Sequence, residues 1–172
     1  HTLWNDFRAS LMRQLYTETK RVLRRGLQTP PNIEDQIEQT QKEALEILQK
    51  QGFSRQRVAH LWRGLTNDYY LREQAEDIAW HTVGILNHPD RNKPLVMIKE
   101  VSERRYEGGT QLFVYTQDHE GLFAATASAL DHLNLSIHDA RIITNNDGYS
   151  YNTFIVLNAE HRSVGDNVEQ IQ

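Results

Sequence analysis

The sequence predicts an α+β fold, with a run of helices first and a unit of strands around one helix second. Three observations predict it. Up to about residue 88 the apolar residues recur every three or four positions, the period of a helix with one buried face. From residue 95 they bunch into short β-branched and aromatic runs bounded by Gly, Asn and Asp, as strands do. Between the two, residues 89–94 contain two of the chain's four prolines, Pro89 and Pro94. A boundary is expected there, giving a helical connector over 1–92 and a strand-rich domain over 93–172.

The connector divides by its caps and stops. Leu3, Phe7, Leu11, Leu15 and Val22 mark a long first helix with Gly26 as its stop. Asn32 is placed to cap a second helix, which carries Ile33, Ile37, Ala44, Leu45 and Leu48 and ends at Gly52. Ser54 caps a short third helix through Val58, Leu61, Trp62 and Leu65. Thr66 restarts the chain around Tyr69 and Tyr70, and residues 73–87 form a last helix with Ile78, Ala79, Val83 and Leu86. Leu45, Leu61, Trp62, Ile78 and Trp80 are expected to be largely buried together, the tryptophans acting as core anchors. The first helix is basic (Arg8, Arg13, Lys20, Arg21, Arg24, Arg25) and the second acidic (Glu34, Asp35, Glu38, Glu43, Glu46). Their simplest arrangement is an antiparallel pair with solvated charged faces. His60 and His81 read as packed or partly exposed helix residues.

In the second part an apolar run at 112–115 breaks at Asp118-His119-Glu120-Gly121-Leu122, and a small-residue helix follows over 122–133. Leu122, Phe123, Ala125, Ala129, Leu130 and Leu133 share one face of it, the stripe of a helix lying on a sheet. A strand that stops at an acid and a glycine before a helix gathers backbone N–H groups around a hollow, and this is the candidate ligand loop. The amides of Glu120, Gly121 and Leu122 favour a carboxylate there, while Asp118 suits an ammonium group. A second strand covers 134–143. Asn145-Asn146-Asp147-Gly148 is a hairpin signal, and a third strand runs over 149–157.

Composition removes several classes of function. With no cysteine among 172 residues there is neither a disulfide framework nor a thiolate metal site. No apolar run reaches the roughly 20 residues that span a bilayer, and no signal-peptide pattern is visible. The net charge of −4 argues against nucleic acid or membrane as a default partner. Two motifs resemble catalytic ones and are set aside. His138-Asp139 spells a metal-phosphohydrolase dyad, but a metal site needs further His and Asp ligands converging from separate helices, and adjacent residues of a strand point to opposite faces. Gly108-Gly109 with Asp118-His119-Glu120 imitates a nucleotidyltransferase pattern, yet only a single strand separates the two. No catalytic or metal site is therefore expected in this chain.

The order β-α-β-β, with the DxxGL loop after the first strand and Asn-Leu-Ser-Ile opening the second, resembles the ACT domain, a regulatory module that binds amino acids. The longer string GGTQLFVYTQDHEGLFAATASALDHLNLSIHDARIITNNDGYSYNTFIVLN resembles more narrowly the first ACT domain of the bacterial PII uridylyltransferase family. TLWNDFRASLMRQLY and DYYLREQAEDIAWHT are similar to that family's segment between its phosphohydrolase domain and its ACT pair. The resemblance implies a cytoplasmic enzyme that transfers uridylyl groups from UTP to PII and removes them, using magnesium, with glutamine as the signal. It implies that this chain holds the sensor and not the catalytic sites, and that Asp118, His119, Glu120, Gly121 and Leu122 form the ligand loop. His119 is either a ligand contact or a turn residue capping the helix. Asn134 reads a second ligand or faces a partner subunit. Two other readings remain: a catalytic fragment, and a module that pairs chains without binding a small molecule.

The resemblance also implies an incomplete ferredoxin-like βαββα unit. After the third strand only residues 163–172 remain to begin a second helix, and the fourth strand, which would flank the first, is missing. Open strand edges recruit strands. Leu95, Val96, Met97, Ile98 and Val101 form a β-prone run, so residues 95–104 are expected to pair antiparallel with 110–116. Failing that, the edge is expected to pair with a second copy of the chain.

Overall fold

The structure, a computed structural model, describes residues 32–101 and 109–157. The expected first helix, its charge pairing with the second, and the tail at 163–172 lie outside these residues. Helix α1, Ile33–Lys50, begins where Asn32 Oδ1 accepts the Glu34 N–H at 3.2 Å. Helix α2, Arg55–Trp62, begins where Ser54 Oγ accepts the Arg57 N–H at 3.3 Å. Both caps are those the sequence marks. Helix α3, Asn67–Arg72, buries Tyr69 and Tyr70. Helix α4, Ala75–Asn87, starts two residues later than periodicity suggests, because Glu73 and Gln74 are extended.

Strands β1 (Leu95–Glu100), β2 (Thr110–Gln117), β3 (Ser136–Thr144) and β4 (Tyr149–Leu157) form one antiparallel sheet in the order β1-β2-β4-β3. Helix α5, Leu122–His132, joins β2 to β3. The chain fills its own edge: β1 pairs with β2 from Leu95↔Tyr115 to Glu100↔Thr110. This is the expected hairpin, and it takes the place where a ferredoxin-like unit would put its fourth strand.

Strands β2 and β4 are buried on both faces along almost their whole length, so both faces need cover. Leu112, Val114, Phe154 and Val156 pack with Leu130 and Leu135 on the α5 side. Phe113, Tyr115, Tyr151 and Ile143 share a core with Ile37, Ala44, Tyr69, Tyr70, Ile78 and Ile85 from the helices. One core therefore runs through the helical region and the sheet. The face assignment on β3 depends on a bulge. Its register slips between Ile137, opposite Val156, and Asp139, opposite Ile155. His138 is the extra residue, so Ile137 joins the α5 side while Asp139 comes within 3.9 Å of Arg141 Nε on the other.

Two packing expectations are met to different degrees. The five residues expected to be largely buried together do pack into the core, Ile78 fully buried and Leu45, Leu61, Trp62 and Trp80 partly buried against it. The tryptophans sit at the rim because their polar and charged neighbours are there: Trp62 Nε1 donates to Thr82 Oγ1 at 2.9 Å, and Lys99 Nζ lies 4.6 Å above the Trp80 ring. The centre is instead His81, fully buried, stacked on Phe113 at 3.7 Å and hydrogen-bonded through Nδ1 to Tyr69 Oη at 2.8 Å. Burial, with Lys99 and Arg141 nearby, holds its pKa well below the usual histidine value, so the ring is neutral. On α5, Ala125 and Ala129 are exposed and only Leu130 is fully buried. A helix of this length turns a narrower stripe to the sheet than the six residues suggested.

Polar side chains also cross from helices to sheet. Glu73, at the break between α3 and α4, accepts Arg141 Nη1 at 2.8 Å and Thr153 Oγ1 at 2.9 Å, with no exposed side-chain surface. Lys99 of β1 pairs with Asp77 of α4. Burial pushes the Glu73 carboxyl up to about 7, against the opposing pull of Arg141, while Asp77 and Asp139 add to the rise.

Two outcomes are expected. Phe113→Ala should cost about 3–5 kcal/mol by urea denaturation, and Trp62→Ala clearly less; equal losses would restore the tryptophan to the centre of the core. Because the Glu73 pKa is higher in the folded state than its ordinary 4.5, the folded chain binds the proton more tightly. Its contribution to stability is present below about pH 4.5 and is lost as pH rises through about 7, to the extent of roughly 3 kcal/mol. Glu73→Gln should flatten that slope, and an identical slope in both proteins would show that Glu73 does not titrate in this range.

Candidate functional site

The loop between β2 and α5 is built around Asp118. Its N–H donates to the Gly148 carbonyl at 2.8 Å, which fixes the end of β2 to the β3–β4 turn. Its carboxylate accepts Thr144 Oγ1 at 2.9 Å and lies 3.5 Å from Ser150 Oγ. The Ser150 hydroxyl is also 3.2 Å from Oδ1 of Asn152, a residue only 1% exposed. Thr144 holds the carboxylate, with the Ser150 hydroxyl shared towards Asn152, and Asp118 stays at the surface.

Gly121 is the N-cap of α5 at φ +80°, a left-handed conformation that costs an L side chain energy. No side chain caps this helix. Leu122 N–H donates to His119 O at 3.2 Å, and Ala125 N–H to Gly121 O at 2.9 Å. The Leu122 amide is therefore occupied by the loop and not free, contrary to expectation, while the positive end of the helix faces the exposed loop. His119 Nδ1 lies 3.0 Å from its neighbour's carbonyl, Glu120 O, so its ring does not cap the helix. The loop can present backbone donors to a carboxylate and a fixed carboxylate to an ammonium group, side by side.

Asp118, His119, Glu120, Gly121 and Leu122 are thus brought together. Asn134 is not among them within one chain. It sits just past the other end of α5 at φ 57°, with its N–H on Asp131 O at 2.9 Å and the Leu135 N–H on Leu130 O at 2.9 Å. That is a helix-stop geometry, about 16 Å along the 11-residue helix from the loop. Sequence reasoning missed Thr144 and Ser150. They flank a recognised turn signal, but nothing in their spacing marks them as partners of Asp118. His138-Asp139 lies on β3 at the bulge, and among the described residues no group of three or more His, Asp or Glu is arranged to hold a metal ion.

The family model described as the uridylyltransferase GlnD fifth domain matches residues 32–84, from α1 into α4. A bifunctional uridylyltransferase/uridylyl-removing enzyme of Azotobacter vinelandii is 54% identical over 171 residues, 99% of this chain and 19% of that protein. Enzymes of the same description from Pseudomonas savastanoi pv. phaseolicola and Pseudomonas aeruginosa are each 53% identical, over 171 and 170 residues, with the same coverage. No solved structure gives a significant match. The chain spans about a fifth of the length of the curated relatives it matches. With more than half of its residues shared from end to end, the chain belongs to the family of bifunctional uridylyltransferase/uridylyl-removing enzymes, as one segment of their length.

Proposed function

We propose that this segment is the glutamine-sensing region of an enzyme that uridylylates the PII nitrogen-signalling protein and removes the modification. The observation that carries this reading is the loop itself: a helix N-terminus with no side-chain cap beside a carboxylate held by the Thr144 hydroxyl, the complementary pair for the two charged groups of a free amino acid. The relatives' description supports the wider activity, and the ACT-like strand order supports a regulatory role. Residues 1–92 act as the helical connector and 93–172 as the ACT domain. Asn134, remote from the loop in its own chain, serves a second ligand or a partner subunit, and pairing of two chains through ACT edges would bring it there. Magnesium is assigned to the catalytic parts of the parent enzyme. A cytoplasmic setting fits this role, and no described helix is long and apolar enough to cross a membrane.

Titration calorimetry with glutamine, using glutamate and asparagine as controls, tests the ligand. Selective heat for glutamine is expected. In the full-length enzyme, Gly121→Val should weaken glutamine binding about tenfold or more, since a β-branched residue at positive φ costs upwards of about 1 kcal/mol and displaces the first-turn amides. Unchanged affinity would remove the loop from the site.

A further inference from the structure

The β3–β4 turn, residues 145–148, is in contact on two sides. On one side Gly148 O accepts the Asp118 N–H at 2.8 Å, and the Thr144 hydroxyl next to the turn holds the Asp118 carboxylate, with the Ser150 hydroxyl 3.5 Å from it. On the other, Asn146 N–H donates to Gly64 O at 2.9 Å, and Gly64 is the buried residue between α2 and α3. The second contact is tight. A Cβ built on Gly64 would lie 2.3 Å from Asp147 Oδ2, 3.1 Å from its Cγ and 3.2 Å from Asn145 Nδ2. A side chain there must displace the Asp147 carboxylate and crowd the Asn145 amide that braces the turn.

The turn is also braced from within. Asn145 Oδ1 accepts the N–H groups of Asp147 at 3.0 Å and Tyr149 at 2.8 Å, and Asn145 N–H donates to Tyr149 O at 2.8 Å. A braced element touching the ligand loop on one side and the helices on the other passes a displacement on instead of absorbing it.

We propose that the turn 145–148 is the joint through which occupancy of the Asp118 loop is communicated to the helical connector. The inference rests on the reading of that loop as a glutamine site. A ligand that prefers one position of Asp118 then prefers one position of Asn146 against Gly64. By reciprocity, a change at Gly64 must alter what the ligand feels.

Hydrogen exchange read by mass spectrometry on the full-length enzyme, with and without glutamine, tests this. In the natural protein glutamine should slow exchange about threefold or more in peptides covering both 117–121 and 145–149. In Gly64→Ala the first peptide should still respond and the second should not, and adding Asp147→Ala should restore the second response by removing the carboxylate in the way. Asn145→Ala, which loosens the turn without adding bulk, should give the same split and serves if Gly64→Ala does not fold. If glutamine protects 117–121 but not 145–149 in the natural protein, or protects both equally in the variants, the joint is wrong while the ligand site stands. If glutamine leaves 117–121 unchanged in the natural protein, the ligand site is wrong and the joint falls with it.

Discussion

A sheet whose central strands are apolar on both faces cannot stand alone, and that constraint organises this molecule. Along β2 the side chains alternate between two cores: Leu112 and Val114 on the α5 side, Phe113 and Tyr115 on the helical side. One short helix covers the first. The second needs α1, α3 and α4, whose Tyr69, Ile78 and His81 meet Phe113 and Tyr151. The helical connector is therefore a layer of the sheet's own core. What the sheet does, the helices feel directly.

The contacts between those layers are unusually polar for an interior. Glu73 meets Arg141 and Thr153, and Lys99 meets Asp77. Desolvation makes such pairs poor sources of net stability, yet removing one partner strands the other, so they enforce one alignment over its neighbours. An apolar interface would tolerate small slips of helix against sheet. This one resists them.

Much of the fold was legible in the sequence because it rests on local chemistry. Asn32 and Ser54 announced their helices, Asn145-Asn146-Asp147-Gly148 announced its turn, and the β-prone run from Leu95 announced the strand that completes the sheet. Features set by tertiary contact were not legible. The bulge at His138 has no sequence signature, yet it decides that Asp139 and Arg141 face the helices. The tryptophans drew attention by size, while the smaller His81 took the centre because Phe113 and Tyr69 together could satisfy its ring and one nitrogen. At the site, the loop 118–122 was legible from its acid, glycine and following helix. Thr144 and Ser150 were not, because hydrogen bonds between separate strands leave no periodicity.

The site and the interface have one physical feature in common: both hold a carboxylate with side chains from β3 and β4. Asp118 is held at the surface by Thr144, with Ser150 beside it, and Glu73 is fixed in the interior by Arg141 and Thr153. Thr144 is three residues from Arg141 on one strand, and Ser150 is three from Thr153 on the other, with Arg141 directly opposite Thr153 and Thr144 opposite Ser150. A shift of this strand pair at its turn end must move both carboxylates' partners. A regulatory ligand needs only about 1–3 kcal/mol of differential binding to redistribute two states. The hairpin is held at its turn end by Asp118 and three residues further along by Glu73, so under the joint proposed above a preference expressed at one carboxylate reaches the partners of the other.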